Sequence, residues 1–149
     1  DRLGAAARAT GATTPRGATG GVVEGPQFST LAESEENRRR GHHLIGMTAL
    51  PEAKLAREAE IAYAALAMVT DYDVWHPDHD AVTVDQVVAV LHANARLAQD
   101  IIRRSVELIG DGFASPAHAA LATAIMTDPS VIPATRRAEL ELFIGKYLP

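Results

Sequence analysis

The sequence predicts an α/β fold, and three observations carry that prediction. Short strand-length segments stand at Gly21–Glu24, His43–Met47 and Ile61–Thr70. Between and after them lie stretches with helical apolar spacing and recognisable start signals. The two kinds of segment alternate, which is the order of a sheet flanked by helices. A length of 149 residues fits a single domain with room for a core.

Each element has a local reason. Leu3 to Ala9 is Ala-rich and helix-compatible, and Thr10 to Gly21 is turn chemistry, so residues 1–21 read as a lead-in. Gly25-Pro26 stops the first strand. Leu31 to Arg40 predicts a helix with its acids first and its arginines last, as the helix dipole favours. Ser29 or Thr30 caps it, Glu33 closes a capping box and Gly41 ends it. The run Arg38–Arg40 reads as a solvated helix end, with phosphate binding as the other reading. Pro51 suits the first turn of a helix running to about Glu60.

Ile61 to Thr70 is apolar throughout, which predicts a strand buried on both faces. Thr83 and Gln86 form a capping box, and Val82 with Val87 a hydrophobic staple, ahead of a long helix. Val84, Val88, Leu91, Ile101 and their neighbours keep its apolar stripe to about Leu108, and Gly110 and Gly112 break it. Ser115-Pro116 starts a further helix ending before Pro129, and a last one spans about Ala134 to Tyr147. Three strands make a thin sheet, and no Met opens the chain. Both features lead to the expectation of a C-terminal portion, with the N-terminal half of a longer protein missing.

Composition narrows the function. A net charge of −5 gives no footprint for nucleic acid. There is no cysteine, hence no disulfide framework and no thiolate chemistry. No apolar run approaches a membrane span and no signal pattern opens the chain, so the default location is cytoplasmic.

Four constellations could carry chemistry. Asp71 and Asp73 close the apolar run two residues apart, which on a strand points both the same way. Such a pair can donate to a basic ring nitrogen and accept from an amine. Its alternative is an Asx-turn capping the next loop. His76-Pro77-Asp78-His79-Asp80 has ligand types for zinc, but the spacing favours a polar loop and no metal is expected. Gly25-Pro26-Gln27-Phe28-Ser29-Thr30 offers a ring and hydroxyls at a helix start, suited to flat or anionic ligands as well as to capping. Gly46-Met47-Thr48 places a hydroxyl beside a helix N-terminus, where phosphate can bind.

Taken together, Glu24 to Ser34, Gly46 to Ala53 and Ala67 to Trp75 resemble the trimeric purine nucleoside phosphorylase family. Within that family they are most similar to members acting on S-methyl-5′-thioadenosine. The resemblance implies a three-layer phosphorylase/hydrolase-like fold, a mixed sheet flanked by helices. It implies phosphorolysis of methylthioadenosine to adenine and 5-methylthioribose 1-phosphate, with no cofactor, inorganic phosphate as co-substrate and a homotrimer at full length. No nucleic acid or membrane partner is implied.

By the same resemblance Asp71 serves purine N7 and Asp73 the 6-amino group. Phe28 and Ser29 line the base pocket, Met47 lies against the ribose and Thr48 holds phosphate. Val84 and Val87 wall the 5′ substituent. Members taking 6-oxopurines place Glu at Ser29 and Asn at Asp71, so this chain follows the 6-aminopurine pattern. The family's glycine-rich phosphate loop is not within this sequence. The alternatives are a phosphorylase of broader purine specificity and a non-catalytic purine-binding fragment.

Overall fold

The computed structural model describes residues 2–14, 17–76 and 84–149. Helices α1 (Arg2–Ala9), α2 (Leu31–Arg39), α3 (Ala49–Glu58), α4 (Val84–Ile109) and α5 (Ala134–Ile144) accompany strands β1 (Gly20–Val22) and β2 (Leu44–Gly46). The chain divides into two compact units: Asp1–Ala49 with Ala64–Asp111, and Leu50–Tyr63 with Gly112–Pro149.

In the first unit β1 and β2 pair in parallel, with Gly20 opposite Leu44, Gly21 opposite Ile45 and Val22 opposite Gly46. The Val23 N–H extends the pairing to the Gly46 carbonyl at 2.8 Å. A parallel pair needs a crossover, and α2 supplies it. The core of this unit is small. Ala6 and Ala7 of α1 meet Ile101 of α4, with Leu3, Ala12, Leu66 and Leu97 partly buried around them. Two alanines let the helices approach closely, so α1 supplies core side chains where a lead-in was expected.

The start of α2 follows its sequence signal. The Thr30 hydroxyl accepts from the Glu33 N–H at 3.3 Å, and the Glu33 carboxylate accepts from the Thr30 N–H at 2.7 Å. That reciprocal pair satisfies two donors that a helix start leaves open. The Thr30 N–H and hydroxyl also hold the Glu33 carboxyl below its usual value. The helix ends with Gly41 at φ 76°, its N–H on Arg38 O and the His42 N–H on Asn37 O. This is a Schellman closure, and glycine occupies its left-handed position without a steric penalty.

Two expectations need correction. Ile61–Thr70 is not a strand: it carries no regular secondary structure, and Ile61, Met68 and Val69 are 57%, 44% and 57% exposed. A strand exists only through ladder partners. Among the described residues the sheet has two strands, and the Val69 carbonyl accepts from the Asn94 side chain at 3.0 Å instead. The α/β class holds with a two-stranded parallel sheet. The helix expected from Ser115-Pro116 is a single 3₁₀ turn, Pro116–Ala119, capped by the Ser115 hydroxyl. Its start falls where expected, but the Leu121 N–H that would continue an α-helical ladder donates to Glu60 at 2.9 Å.

In α4 the anticipated stripe is real but only partly covered: Ile101 is buried, whereas Val88, Leu91 and Ile102 are exposed. The cap at Thr83 and the staple residue Val82 lie outside the described residues. Leu50 is non-helical (φ −121°, ψ 135°), so the regular part of α3 begins at Pro51, as the sequence implied.

The second unit is organised by one carboxylate. Glu60 stands at φ 57°, the left-handed closing position of α3, with its N–H on Arg57 O and the Ile61 N–H on Ala56 O. A non-glycine residue there costs roughly 1–2 kcal/mol. The side chain, 8% exposed, offsets that cost: Glu60 pairs with Lys146 and accepts from the Tyr147 hydroxyl at 2.5 Å and from the Leu121 N–H. Lys146 also donates to the His118 carbonyl at 3.1 Å. Burial works against the charged carboxyl, but the hydrogen bonds from Lys146, Tyr147 and Leu121 and the Lys146 charge outweigh it. Together they hold the Glu60 pKa down to about 2.

A depressed carboxyl pKa stabilises the fold above the ordinary value of 4.5, and that contribution fades as pH falls toward about 2. Glu60→Gln should therefore lower the urea midpoint at neutral pH and remove part of its decline between those two pH values. Urea titrations at several pH values measure this; an unchanged acid slope would discount the clamp.

Candidate active site

The parallel pairing brings two loops to one end of the sheet. The turn after β1 carries Phe28 and Ser29, and Met47 follows β2 directly. Beside them the segment Ala67–Asp73 and one face of α2 enclose a cavity of about 590 Å³. Ser34, Asn37 and Arg38 line it from α2 at spacing i, i+3, i+4, which places them on one face.

The two carboxylates share this cavity, by a route other than strand alternation. Asp71 Oδ1 accepts from the Asp73 N–H at 2.9 Å, and Asp71 Oδ2 accepts from the Thr70 hydroxyl at 2.7 Å. Asp73 has φ 61°, a left-handed conformation that Asp tolerates better than most residues. Its Oδ2 accepts from the Ser34 hydroxyl at 2.7 Å. The Asx-turn is present, and both acids line the same cavity. Asp71 is exposed and Asp73 half-buried, so the cavity is open to water.

Phe28 is 85% exposed although it lines the cavity, which leaves a ring face free for a flat ligand. Ser29 and Met47 are half-buried in the lining. Gly25, at φ 72°, lets the loop pass Met47: a Cβ there would lie 2.9 Å from Met47 Sδ. Thr48 is exposed and outside the cavity lining. With Leu50 extended, Thr48 does not face a regular helix N-terminus. Val84 and Val87 stand on the opening turn of α4, and their side chains lie outside the described residues. Of the histidine–acid cluster, Pro77 to Asp80 lie outside the described residues.

Three features were not singled out from the sequence. The Arg38 guanidinium stacks over the Trp75 ring at 3.8 Å, and Trp75 meets Tyr72 edge-on at 6.3 Å. All three arginines are exposed, as a solvated helix end requires; Arg39 and Arg40 pair with Glu35 and Glu36, whereas Arg38 also lines the cavity beside Trp75. Ser34 and Thr70 hydrogen-bond the two acids. The spacing of Ser34, Asn37 and Arg38 was visible, but nothing local marked that face as the inner one.

A family profile described as the phosphorylase superfamily matches residues 1–107, and the chain belongs to that superfamily. It is 66% identical over 142 residues to the S-methyl-5′-thioadenosine phosphorylase of Chloroflexus aurantiacus, covering 95% of this chain and 49% of that protein. Against the enzyme of that name from Geobacter sulfurreducens, identity is 49% over 98% of this chain and 51% of the relative. A crystal structure of a methylthioadenosine phosphorylase from an antarctic soil metagenomic library superposes with a TM-score of 0.86 at 42% identity. That match covers 96% of this chain and 51% of the other. An adenosine/methylthioadenosine phosphorylase double mutant from Schistosoma mansoni, solved with adenine, gives 0.70 at 30% identity, covering 81% and 49%. The chain spans about half the length of these relatives. The resemblance carried by the three sequence motifs is thereby shown.

Gly25→Ala should cost about 1–3 kcal/mol, because it combines a left-handed backbone with a contact to Met47. Urea unfolding measures the loss. A variant as stable as the parent would show that the loop moves aside freely.

Proposed function

We propose that this chain forms the purine-binding part of an enzyme that phosphorolyses S-methyl-5′-thioadenosine to adenine and 5-methylthioribose 1-phosphate. The observation that carries the reading is the convergence of Phe28, Ser29, Met47, Asp71 and Asp73 on one cavity. The names of the relatives support the choice of substrate. The adenine in the Schistosoma mansoni structure supports the class of base.

In this reading the purine lies against the exposed Phe28 ring. Phosphate attacks the anomeric carbon, the bond to purine N9 breaks, and its electron pair leaves with the base. Asp71 delivers or holds the proton at N7, so that the base departs neutral. To do so it exchanges the Thr70 hydroxyl on Oδ2 for the ring nitrogen. Asp73 accepts from the 6-amino group. A carboxylate accepts from an amine and repels a carbonyl oxygen, which favours 6-aminopurines. Met47 faces the ribose, and Val84 and Val87 wall an apolar 5′ substituent better than a hydroxyl. Thr48, next to Met47 but outside the cavity lining, is assigned to phosphate by family resemblance alone. The reaction uses no cofactor, phosphate being the co-substrate, and serves purine salvage in the cytoplasm as part of a homotrimer.

Trp75 is the single tryptophan and lines the cavity, so its fluorescence reports occupancy. Adenine should change that emission with saturation. Adenine release from methylthioadenosine should require added phosphate. Asp71→Asn should reduce whatever release is measured by about 10²-fold or more. Ser29→Glu combined with Asp71→Asn should move preference toward hypoxanthine. Unchanged selectivity in the double variant would refute the residue assignments.

A further inference from the structure

Two polar residues are buried as a whole among the described residues, Ser34 and Ser105, at 2% and 7% exposure. Ser105 behaves as a helical serine commonly does, returning its hydroxyl to the Ile101 carbonyl four residues back at 2.7 Å. Ser34 does not. The carbonyl four residues before it, that of Thr30, receives the Ser34 backbone N–H at 3.0 Å, and the hydroxyl leaves the helix for Asp73 Oδ2 at 2.7 Å.

We propose that Ser34 is a positioning residue that presets the Asp73 carboxylate for the 6-amino group of a purine. The inference rests on the purine reading above and goes beyond it, because it assigns the discrimination between 6-amino and 6-oxo bases partly to a side chain that need not touch the base. Three restraints converge on Asp73. Its backbone N–H is held by Asp71 Oδ1, its φ of 61° fixes the direction of Cβ, and the Ser34 hydroxyl fixes the rotation of the carboxylate. Ser34 is itself immobile: it follows the Thr30–Glu33 capping box directly and is fully enclosed.

A hydroxyl that donates to one carboxylate oxygen at this distance makes a charge-assisted bond. It leaves Oδ1 as a pure acceptor aimed in one direction. An amine can use that oxygen without first ordering it, and a carbonyl oxygen meets only repulsion. Without the hydroxyl the carboxylate turns freely, and Oδ2 loses its donor.

The test is a double-mutant cycle on base binding, read from Trp75 fluorescence with adenine and hypoxanthine as probes. Ser34→Ala should weaken adenine about tenfold and narrow the adenine-to-hypoxanthine ratio, in line with loss of a hydrogen bond to a charged group. In the Asp73→Asn background the same change should add little. Ser34→Cys keeps the volume with a weaker donor and should lie between the two, so the claim stays testable if the alanine variant does not fold. Adenine affinity and selectivity unchanged in Ser34→Ala or Ser34→Cys would overturn the assignment. So would equal losses with and without the Asp73 carboxylate, which mark a merely structural serine. Failure of the unsubstituted chain to bind either base is a different result, and it removes the purine reading together with this one.

Discussion

The parallel register of two three-residue strands is the constraint on which the site depends. Parallel strands finish at the same edge of a sheet, so the loop carrying Phe28 and Ser29 and the residue Met47 must emerge side by side. Open α/β sheets bind ligands at that edge. An antiparallel pairing of the same strands would send the two loops to opposite ends, and no cavity would form between them. Gly21 leaves room for neighbouring side chains: a Cβ there would lie 2.6 Å from His42 Nδ1 and 2.9 Å from Ile45 Cδ1.

Helix α2 is the second organiser. It is the crossover that makes the parallel pair possible, and it also presents Ser34, Asn37 and Arg38 to the cavity. Its register is fixed at both ends by backbone chemistry, the Thr30–Glu33 box and the Gly41 closure. Because both ends are set, the inner face cannot rotate away. Arg38 follows that face onto Trp75, whereas Arg39 and Arg40 stay with the glutamates of the outer face.

The parts of this architecture written in local chemistry were legible. The cap of α2, its glycine end, the start of α3 at Pro51 and the cap at Ser115 all follow from residues within one turn of each other. Phe28, Ser29, Met47, Asp71 and Asp73, grouped by motif resemblance, all line one cavity. What failed was whatever depends on distant partners. Ile61–Thr70 has strand composition but no ladder, and its carbonyl at Val69 is claimed by Asn94, 25 residues on. The segment after Ser115 has helix composition, yet the Leu121 N–H is taken by Glu60, 61 residues earlier. The closeness of Asp71 and Asp73 was expected from pleating and arises instead from a turn.

The clamp around Glu60 also bears on how the polypeptide is made. Its partners lie 61 and 87 positions downstream, at Leu121 and Tyr147. A ribosome delivers residues in order, so this carboxylate is made 87 positions before Tyr147 and waits in water for it. Closure of the Leu50–Tyr63 piece against Gly112–Pro149 is therefore a late, long-range event in synthesis.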